Sequence, residues 1–145
     1  MEAKKYLRQV SSARKKIKNK LIEAQQWKDI ALSITSYMGG ERVQASSPKD
    51  KLAIAMAECE EAEGEVLEKV KDFRAVINDV TNTIESMENA TEYDVLHQVF
   101  IQDKTLQDVA DEYGYDYGWA TTTQGRALKG VQQILERREH ESNPG

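Results

Sequence analysis

The side chains that most often carry out chemistry in proteins are few and widely separated in this sequence. The chain has one cysteine, Cys59, and two histidines, His97 and His140. Their spacing does not match the closely paired ligands of metal sites. The sequence also contains no glycine-rich phosphate loop and no nucleophile motif. It therefore predicts no catalytic residue, no metal site and no cofactor, and we do not expect an enzyme.

Charged side chains are distributed unevenly along the chain. The 145 residues carry a net charge of -5, which argues against non-specific binding of the whole molecule to DNA. Residues 1–20 are strongly basic, whereas the charged residues of the segment 58–94 are mostly acidic. Two explanations stay open: the two segments attract each other, or both are solvated faces of long helices. The glutamates between residues 58 and 63 fit a solvated helix face better than a carboxylate site.

Apolar residues are never continuous over the roughly 18 positions that a membrane-spanning helix needs. The basic N-terminus lacks the apolar core of a signal peptide. We therefore expect a cytoplasmic protein with no membrane partner.

The longest pattern covers residues 52–87. Apolar side chains recur there at alternating steps of four and three residues, and Glu63 is the one charged member of the series. The series is Leu52, Met56, Cys59, Glu63, Val66, Val70, Phe73, Ile77, Val80, Ile84 and Met87. Such a seam is typical of a coiled coil and needs a partner helix along most of its length. Cys59 lies on the seam, so we expect a buried, inert thiol.

A weaker seam predicts a first long helix over residues 3–38. Its members are Leu7, Val10, Ile17, Leu21, Ala24, Trp27, Ala31, Ile34 and Met38. Gly39 and Gly40 end this helix, because glycine adopts backbone conformations that other residues avoid. A polar loop over residues 41–46 follows.

The second helix has a clear start signal, with Ser47 as its N-cap and Pro48 at its first position. Two helices of similar length joined by a short loop predict an antiparallel coiled-coil hairpin over residues 1–89. Two helices alone make a thin core, so we expect hairpins to pair. The protein is then its own partner, as a dimer or a higher oligomer.

Beyond residue 89 the long seam gives way to a predicted trihelical module over residues 90–138 and a disordered polar tail over residues 139–145. The module has a capping signal at the start of each helix, and a glycine stops the second helix. The caps are Thr91, then Thr105 with Asp108 as its capping-box partner, then Asp116, and the helices end near Gln102, Gly114 and Arg138. The predicted class is therefore all-α.

The second and third helices of this module have the spacing of a helix-turn-helix. Ala110 and Ala120 are small enough to let the two helices cross closely. Gly114 permits the sharp turn, and Tyr115 is expected to plug the gap between the helices. Trihelical folds without a DNA partner also satisfy this spacing. The pattern alone therefore does not distinguish a DNA-binding helix-turn-helix from a trihelical fold that does not bind DNA.

The segment TLQDVADEYGY (residues 105–115), followed by QGRALK (residues 124–129), resembles region four of bacterial sigma factors, which recognises the upstream hexamer of a promoter. The whole chain is similar to small phage and prophage proteins of Gram-positive bacteria. These combine an N-terminal helical hairpin, a polar loop like GGERVQASS (residues 39–47) and a C-terminal sigma-like module. The resemblance covers nearly the whole chain and implies a late transcription regulator of the ArpU and RinA type.

That resemblance implies an oligomeric activator of packaging and morphogenesis genes that binds double-stranded promoter DNA in the bacterial host cell, with RNA polymerase as a further candidate partner. Carried over by position, it also implies which residues touch DNA. The base-facing residues are Tyr117, Gly118, Thr121 and Thr122, and the residues beside phosphates are Trp119, Arg126 and Lys129. Threonine can hydrogen-bond to bases or contact the thymine methyl group.

The sequence departs from the sigma pattern in its charge. Sigma-like recognition helices usually carry several basic residues, whereas residues 117–123 carry none and acidic residues crowd the preceding helices. Because phosphate contacts supply much of DNA affinity, one isolated module should bind weakly. The alternative function is an adaptor that docks on RNA polymerase or another regulator without reading bases. Tyr117 and Trp119 as packing residues, and Arg126 in an internal ion pair, also stay open.

Overall fold

The computed structural model describes residues 1–39 and 46–142. The helices are α1 (Ala3–Gly39), α2 (Ser46–Glu85), α3 (Ala90–Leu96), α4 (Leu106–Tyr113) and α5 (Tyr117–Ser142), with a π-helical turn (His97–Ile101) directly after α3. All regular structure in the described residues is helical, which confirms the predicted all-α class. The predicted polar loop falls almost wholly outside the described residues, as does the side chain of the predicted cap Ser47.

The chain forms two compact units. The terminal unit comprises Met1–Ala13 and Phe73–Gly145, and the middle unit comprises Arg14–Asp72. Each of the two long helices therefore contributes to both units. The division into domains at residues 1–89 and 90–138 stays a prediction.

The core of the terminal unit draws on three parts of the chain that are distant in sequence. Leu7 and Val10 come from the start of α1, and Ile84 comes from the end of α2. Leu96 and Val131 come from α3 and α5, and all five side chains are fully buried. Burying each such side chain stabilises the fold by about 1.5–3 kcal/mol. The predicted seam positions in this part of α1 and α2 are thus confirmed as core residues.

A buried tyrosine hydroxyl connects the same three parts of the terminal unit. Tyr6 of α1 is only 6% exposed, and its hydroxyl donates a hydrogen bond to the carboxylate of Asp79 in α2. The hydroxyl is also 2.8 Å from Oγ1 of Thr83, and Nη1 of Arg138 in α5 donates to it at 3.3 Å. Arg138 and Asp79 form an ion pair at 3.5 Å. Burial and the bond to Asp79 raise the pKa of Tyr6, which keeps the hydroxyl protonated.

The middle unit is packed through alanines rather than through the predicted seam of large residues. Ala24 of α1 and Ala55 and Ala62 of α2 are its buried apolar side chains among those described. Lys20 Nζ lies 2.7 Å from a carboxylate oxygen of Glu65, and Cys59 Sγ lies 4.0 Å from the carbonyl oxygen of Ala24. As the residue number rises in α1 it falls in α2, so these segments run in opposite directions.

Several predicted seam positions of the middle unit are exposed in the single chain, whereas the predicted seam residue Ala24 is buried. Burial of the exposed positions by a second copy stays a prediction. Met56, Val70 and Leu21 are 53%, 43% and 53% exposed, and Cys59 is half-buried. Small side chains allow two helix backbones to approach closely, and larger neighbours then lie beside the contact rather than within it. Both the alanine stripe through Ala55 and Ala62 and the stripe through Met56 have helical spacing. The pattern of apolar residues therefore does not show which stripe contacts the other helix.

Two helix boundaries also differ from the predictions. The cap of α3 is Asn89 rather than Thr91, because the Asn89 side chain accepts a hydrogen bond from the backbone N–H of Glu92 at 3.0 Å. Helix α5 continues to Ser142 instead of ending at Arg138, so residues 139–142 of the predicted disordered tail are helical. The last three residues lie outside the described part of the chain.

The Tyr6 hydroxyl gives a direct test of the terminal unit. We expect Tyr6→Phe to lower the free energy of unfolding by about 1–3 kcal/mol, because it removes a buried hydrogen-bond partner of Asp79, Thr83 and Arg138. Tyr37→Phe is the matched control, since Tyr37 is 78% exposed; its effect should stay within about 0.5 kcal/mol. Urea denaturation measures both, and equal effects would contradict the role assigned to Tyr6.

Candidate functional site

Helix α4 begins at a capping box, as the sequence predicts. The backbone N–H of Asp108 donates to Oγ1 of Thr105 at 3.1 Å, and the backbone N–H of Thr105 donates to Oδ2 of Asp108 at 3.3 Å. Two backbone donors at the start of the helix are thereby satisfied. The start of α4 is fixed by these local bonds.

The turn between α4 and α5 is defined by Gly114. This residue has φ 74° and ψ 25°, the left-handed conformation that favours glycine. The N–H of Gly114 donates to the carbonyl of Asp111 at 3.2 Å, and the N–H of Tyr115 donates to the carbonyl of Ala110 at 3.0 Å. These two bonds form a Schellman motif and end α4 sharply. The predicted glycine stop is confirmed.

Helix α5 starts immediately after this turn and packs closely on α4. Asp116 caps it, because its Oδ1 accepts a hydrogen bond from the backbone N–H of Trp119 at 2.8 Å. Ala110 of α4 and Ala120 of α5 are completely buried. The predicted cap and the two predicted small contact residues are therefore confirmed.

The expected role of Tyr115 is wrong. Tyr115 does not plug the gap between the helices, since its side chain is 58% exposed. The half-buried ring of Trp119 instead lies between two tyrosines, with centroid distances of 5.0 Å to Tyr113 and 4.8 Å to Tyr115. The three rings form an aromatic cluster that fixes the end of α4 against the start of α5.

A polar network supports this aromatic cluster from the α3 side. The Tyr113 hydroxyl donates a hydrogen bond to Oδ2 of Asp94, and Nε2 of Gln98 donates to the same oxygen at 2.7 Å. Gln98 is buried, and its backbone carbonyl accepts a bond from the N–H of Lys104 at 2.9 Å. Gln98 lies in the π-helical turn, where the wider helical repeat shifts which side chains point inward. A regular helical pattern gives no signal for this network.

The predicted DNA-contacting residues all lie on α5, mostly at its surface. Tyr117, Gly118, Thr121, Thr122, Arg126 and Lys129 are exposed, and Trp119 is half-buried in the aromatic cluster. At about 100° per residue, five positions share one stripe of the helix. This stripe, the outer face of α5, consists of Gly118, Thr122, Gly125, Arg126 and Lys129. Tyr117 and Thr121 lie to one side of it, and Oγ1 of Thr121 donates to the carbonyl of Gly118 at 2.9 Å.

Gly125 on the outer face has no structural reason to be glycine. A Cβ atom at this position would meet nothing within 4 Å. An exposed glycine inside a helix costs about 1 kcal/mol relative to alanine. Sequence reasoning did not include Gly125, because a glycine in a helix does not by itself indicate binding.

The charges around the outer face are mixed. Asp108, Asp111 and Asp116 are exposed on the α4 side. None of the ion pairs among the described residues involves Arg126. Lys104 Nζ lies 3.7 Å from a carboxylate oxygen of Glu112. Both side chains are exposed, so this ion pair contributes little stability. The basic end of the outer face is therefore available to a partner, whereas the start of α5 is acidic.

Family models, curated proteins and solved structures were compared with this chain, and none of them matches it. Within residues 1–39 and 46–142, the His, Cys, Asp and Glu side chains form no group that is able to hold a metal ion. No helix in that part of the chain has both the length and the apolar character to cross a membrane.

The bond between Tyr113 and Asp94 makes a prediction about pH. Burial, followed by this hydrogen bond, raises the pKa of Tyr113 from 10.0 to about 12. The folded state thus keeps a proton that the unfolded state releases, so the stabilisation is complete below the unfolded pKa of 10.0 and is lost as the pH rises towards 12.

We therefore expect the difference in unfolding free energy between the wild type and Tyr113→Phe to be constant below about pH 9 and to shrink at higher pH. Urea denaturation at a series of pH values measures this difference, in which the ionisation of the other tyrosines cancels. A difference that stays unchanged up to about pH 11.5 would contradict the assignment.

Proposed function

We propose that this chain is a phage-encoded, DNA-binding transcriptional regulator that activates late genes as an oligomer. Its last three helices act as a helix-turn-helix similar to region four of sigma factors. The observation that most supports this function is the connection between α4 and α5. A capped helix ends at the left-handed Gly114, and a second capped helix packs on it through Ala110 and Ala120.

In this proposal the outer face of α5 enters the major groove of promoter DNA. This face has short side chains at Gly118, Thr122 and Gly125, which allow base edges to approach the helix closely. The Thr122 hydroxyl is able to bond to a base, and its methyl group is able to contact thymine. Arg126 and Lys129 follow on the same stripe, where they meet phosphate or guanine.

Oligomerisation compensates for the weak charge of a single module. Exposed aspartates on α4 and at the start of α5 reduce the phosphate attraction on which DNA affinity depends. Two linked modules that engage two half-sites gain affinity through effective concentration without any new contact. In this proposal the middle unit supplies the self-association, and RNA polymerase is a further partner.

The same surface also favours an alternative, an adaptor that binds RNA polymerase or another regulator without reading bases. Tyr115 and Tyr117 are 58% and 52% exposed next to exposed acidic residues, a combination suited to a basic protein surface. Substituting Thr121 and Thr122 with alanine discriminates between the two functions. Unchanged promoter activity would support the adaptor, whereas reduced affinity for promoter DNA would support the regulator.

The basic end of the outer face gives the first test of DNA binding. We expect Arg126→Ala to weaken binding to a promoter fragment from the same phage genome and to reduce the slope of log K against log salt by about 1, because one phosphate contact is lost. Fluorescence anisotropy across a salt series measures both quantities. Lys71→Ala is the control, since that side chain is 75% exposed on α2 in the middle unit. Equal effects of the two substitutions, or indifference to DNA sequence at every salt concentration, would contradict the proposal.

Gly125 gives a second test with an internal control. Both Gly125→Ala and Gly64→Ala should raise the free energy of unfolding by about 0.5–1 kcal/mol, since a Cβ atom meets nothing within 4 Å at either position. We expect only Gly125→Ala to weaken binding to the promoter fragment, because only that position lies where the DNA backbone or bases approach. Denaturation and anisotropy on the same samples separate the two effects. Unimpaired DNA binding by Gly125→Ala would remove the outer face of α5 from the interface.

A further inference from the structure

The middle unit has two sides of different chemistry. One side, the apolar side, contains a groove of about 320 Å³ between α1 and α2, lined by Leu32, Leu52, Met56 and Cys59 with Lys28 and Glu63 among its polar residues. The opposite side, the acidic side, contains a groove in which Glu23, Glu58, Glu61 and Glu65 surround Trp27 and Ile30. Carboxylates outnumber large apolar side chains in the acidic groove, whereas the apolar groove has the opposite balance.

Large apolar side chains of the apolar side are exposed. Leu32 is 60% and Met56 is 53% exposed, because alanines occupy the contact between the two helices. Leu21 and Val70 lie seven residues, or two helical turns, from Lys28 and Glu63, so they extend the same side. Exposed apolar surface of this extent favours association, at roughly 25 cal/mol for each Å² that becomes buried.

The charges of the apolar side are those of a surface that pairs with itself. It carries charges of both signs on one face, with Lys28 on α1 and both Glu60 and Glu63 on α2. A two-fold axis brings a given surface against an identical copy, so each Lys28 is able to face Glu63 of the other copy. A partner surface that is wholly basic or wholly acidic would attract the charges of only one sign on this side.

The size of the apolar side also suits a second copy. Residues 52–70 extend over roughly 28 Å at 1.5 Å per residue, and two adjacent helices are about 20 Å wide. The resulting footprint is roughly 560 Å² before the relief of the side chains is counted. This is about 70% of the roughly 800 Å² that each partner buries in a standard interface, so the apolar side supplies most of one.

We propose that a second copy of this chain covers the apolar side of the middle unit, forming a two-fold interface of four helices. Met56 and Cys59 lie near its centre, Leu32 and Leu52 lie further out along the helices, and Lys28 of each copy faces Glu63 of the other. The acidic side stays in solvent. This inference specifies the self-association in the proposed function, but its test requires no DNA.

Sedimentation of matched variants tests which side is covered. We expect the wild type to be dimeric, and Met56→Glu and Leu32→Glu to raise the dissociation constant of the dimer about 100-fold or more by burying an unpaired charge. The controls Ile54→Glu and Ile30→Glu place the same charge at positions that are 60% and 44% exposed, on the same helices and two residues away. They point about 200° away from Met56 and Leu32 and should leave the dimer unchanged.

Charge reversal tests the contact between copies. Lys28→Glu and Glu63→Lys should each weaken the homodimer about tenfold, because each places like charges opposite one another. An equimolar mixture of the two variants should form a heterodimer of near wild-type affinity. Within each variant chain the two positions carry like charges, so only pairing between copies accounts for recovery.

A monomeric wild type at about 100 μM overturns the inference, since an interface of standard size is populated at that concentration. Disruption by the acidic-side controls but not by Met56→Glu also overturns it, as does a mixture no tighter than the single variants. A stable dimer that does not bind DNA leaves this interface intact and removes the proposed function instead.

Discussion

The hydrogen bonds around the Tyr6 hydroxyl are the interaction on which the terminal unit depends. Tyr6 and Arg138 are separated by 132 positions in the sequence, and Asp79 lies between them in the chain. A buried hydroxyl without partners is costly, so the first turns of α1 are held against α2 and α5 in one arrangement. The C-terminal helices therefore share a core with both long helices, and the outer face of α5 is presented from a rigid support.

The middle unit is packed differently, without a core of large buried side chains among its described residues. Its helices meet through Ala24, Ala55 and Ala62, which bury little surface, and it leaves large apolar side chains outside. A pair of helices packed in this way gains little stability alone and has much to gain from a partner. The terminal unit buries large apolar side chains such as Leu7, Ile84 and Val131 within itself, whereas the middle unit leaves Leu32 and Met56 exposed.

In the candidate site, α4 and α5 are well fixed against each other, but the exposed helix face carries short side chains and little charge. Asp94, Tyr113 and Trp119 fix the relative position of α4 and α5 through hydrogen bonds and ring contacts. The outer face of α5 has mostly short side chains, and Arg126 and Lys129 are its only charged residues. Such a surface favours readout by close approach over attraction from a distance, and this explains why affinity in the proposed function depends on oligomerisation.

The sequence by itself determined the all-α class, the capping box at Thr105, the stop at Gly114 and the buried Ala110 and Ala120. These features rest on hydrogen bonds and side-chain sizes within a few residues, which local spacing encodes. Only the tertiary structure decided that the alanine stripe, and not the stripe through Met56, forms the contact in the middle unit, because both have helical spacing and the sequence does not record how closely the backbones approach. The partners of Tyr6, the outward position of Tyr115 and the buried Gln98 likewise depend on distant packing and on a π-helical turn, for which short-range patterns contain no signal.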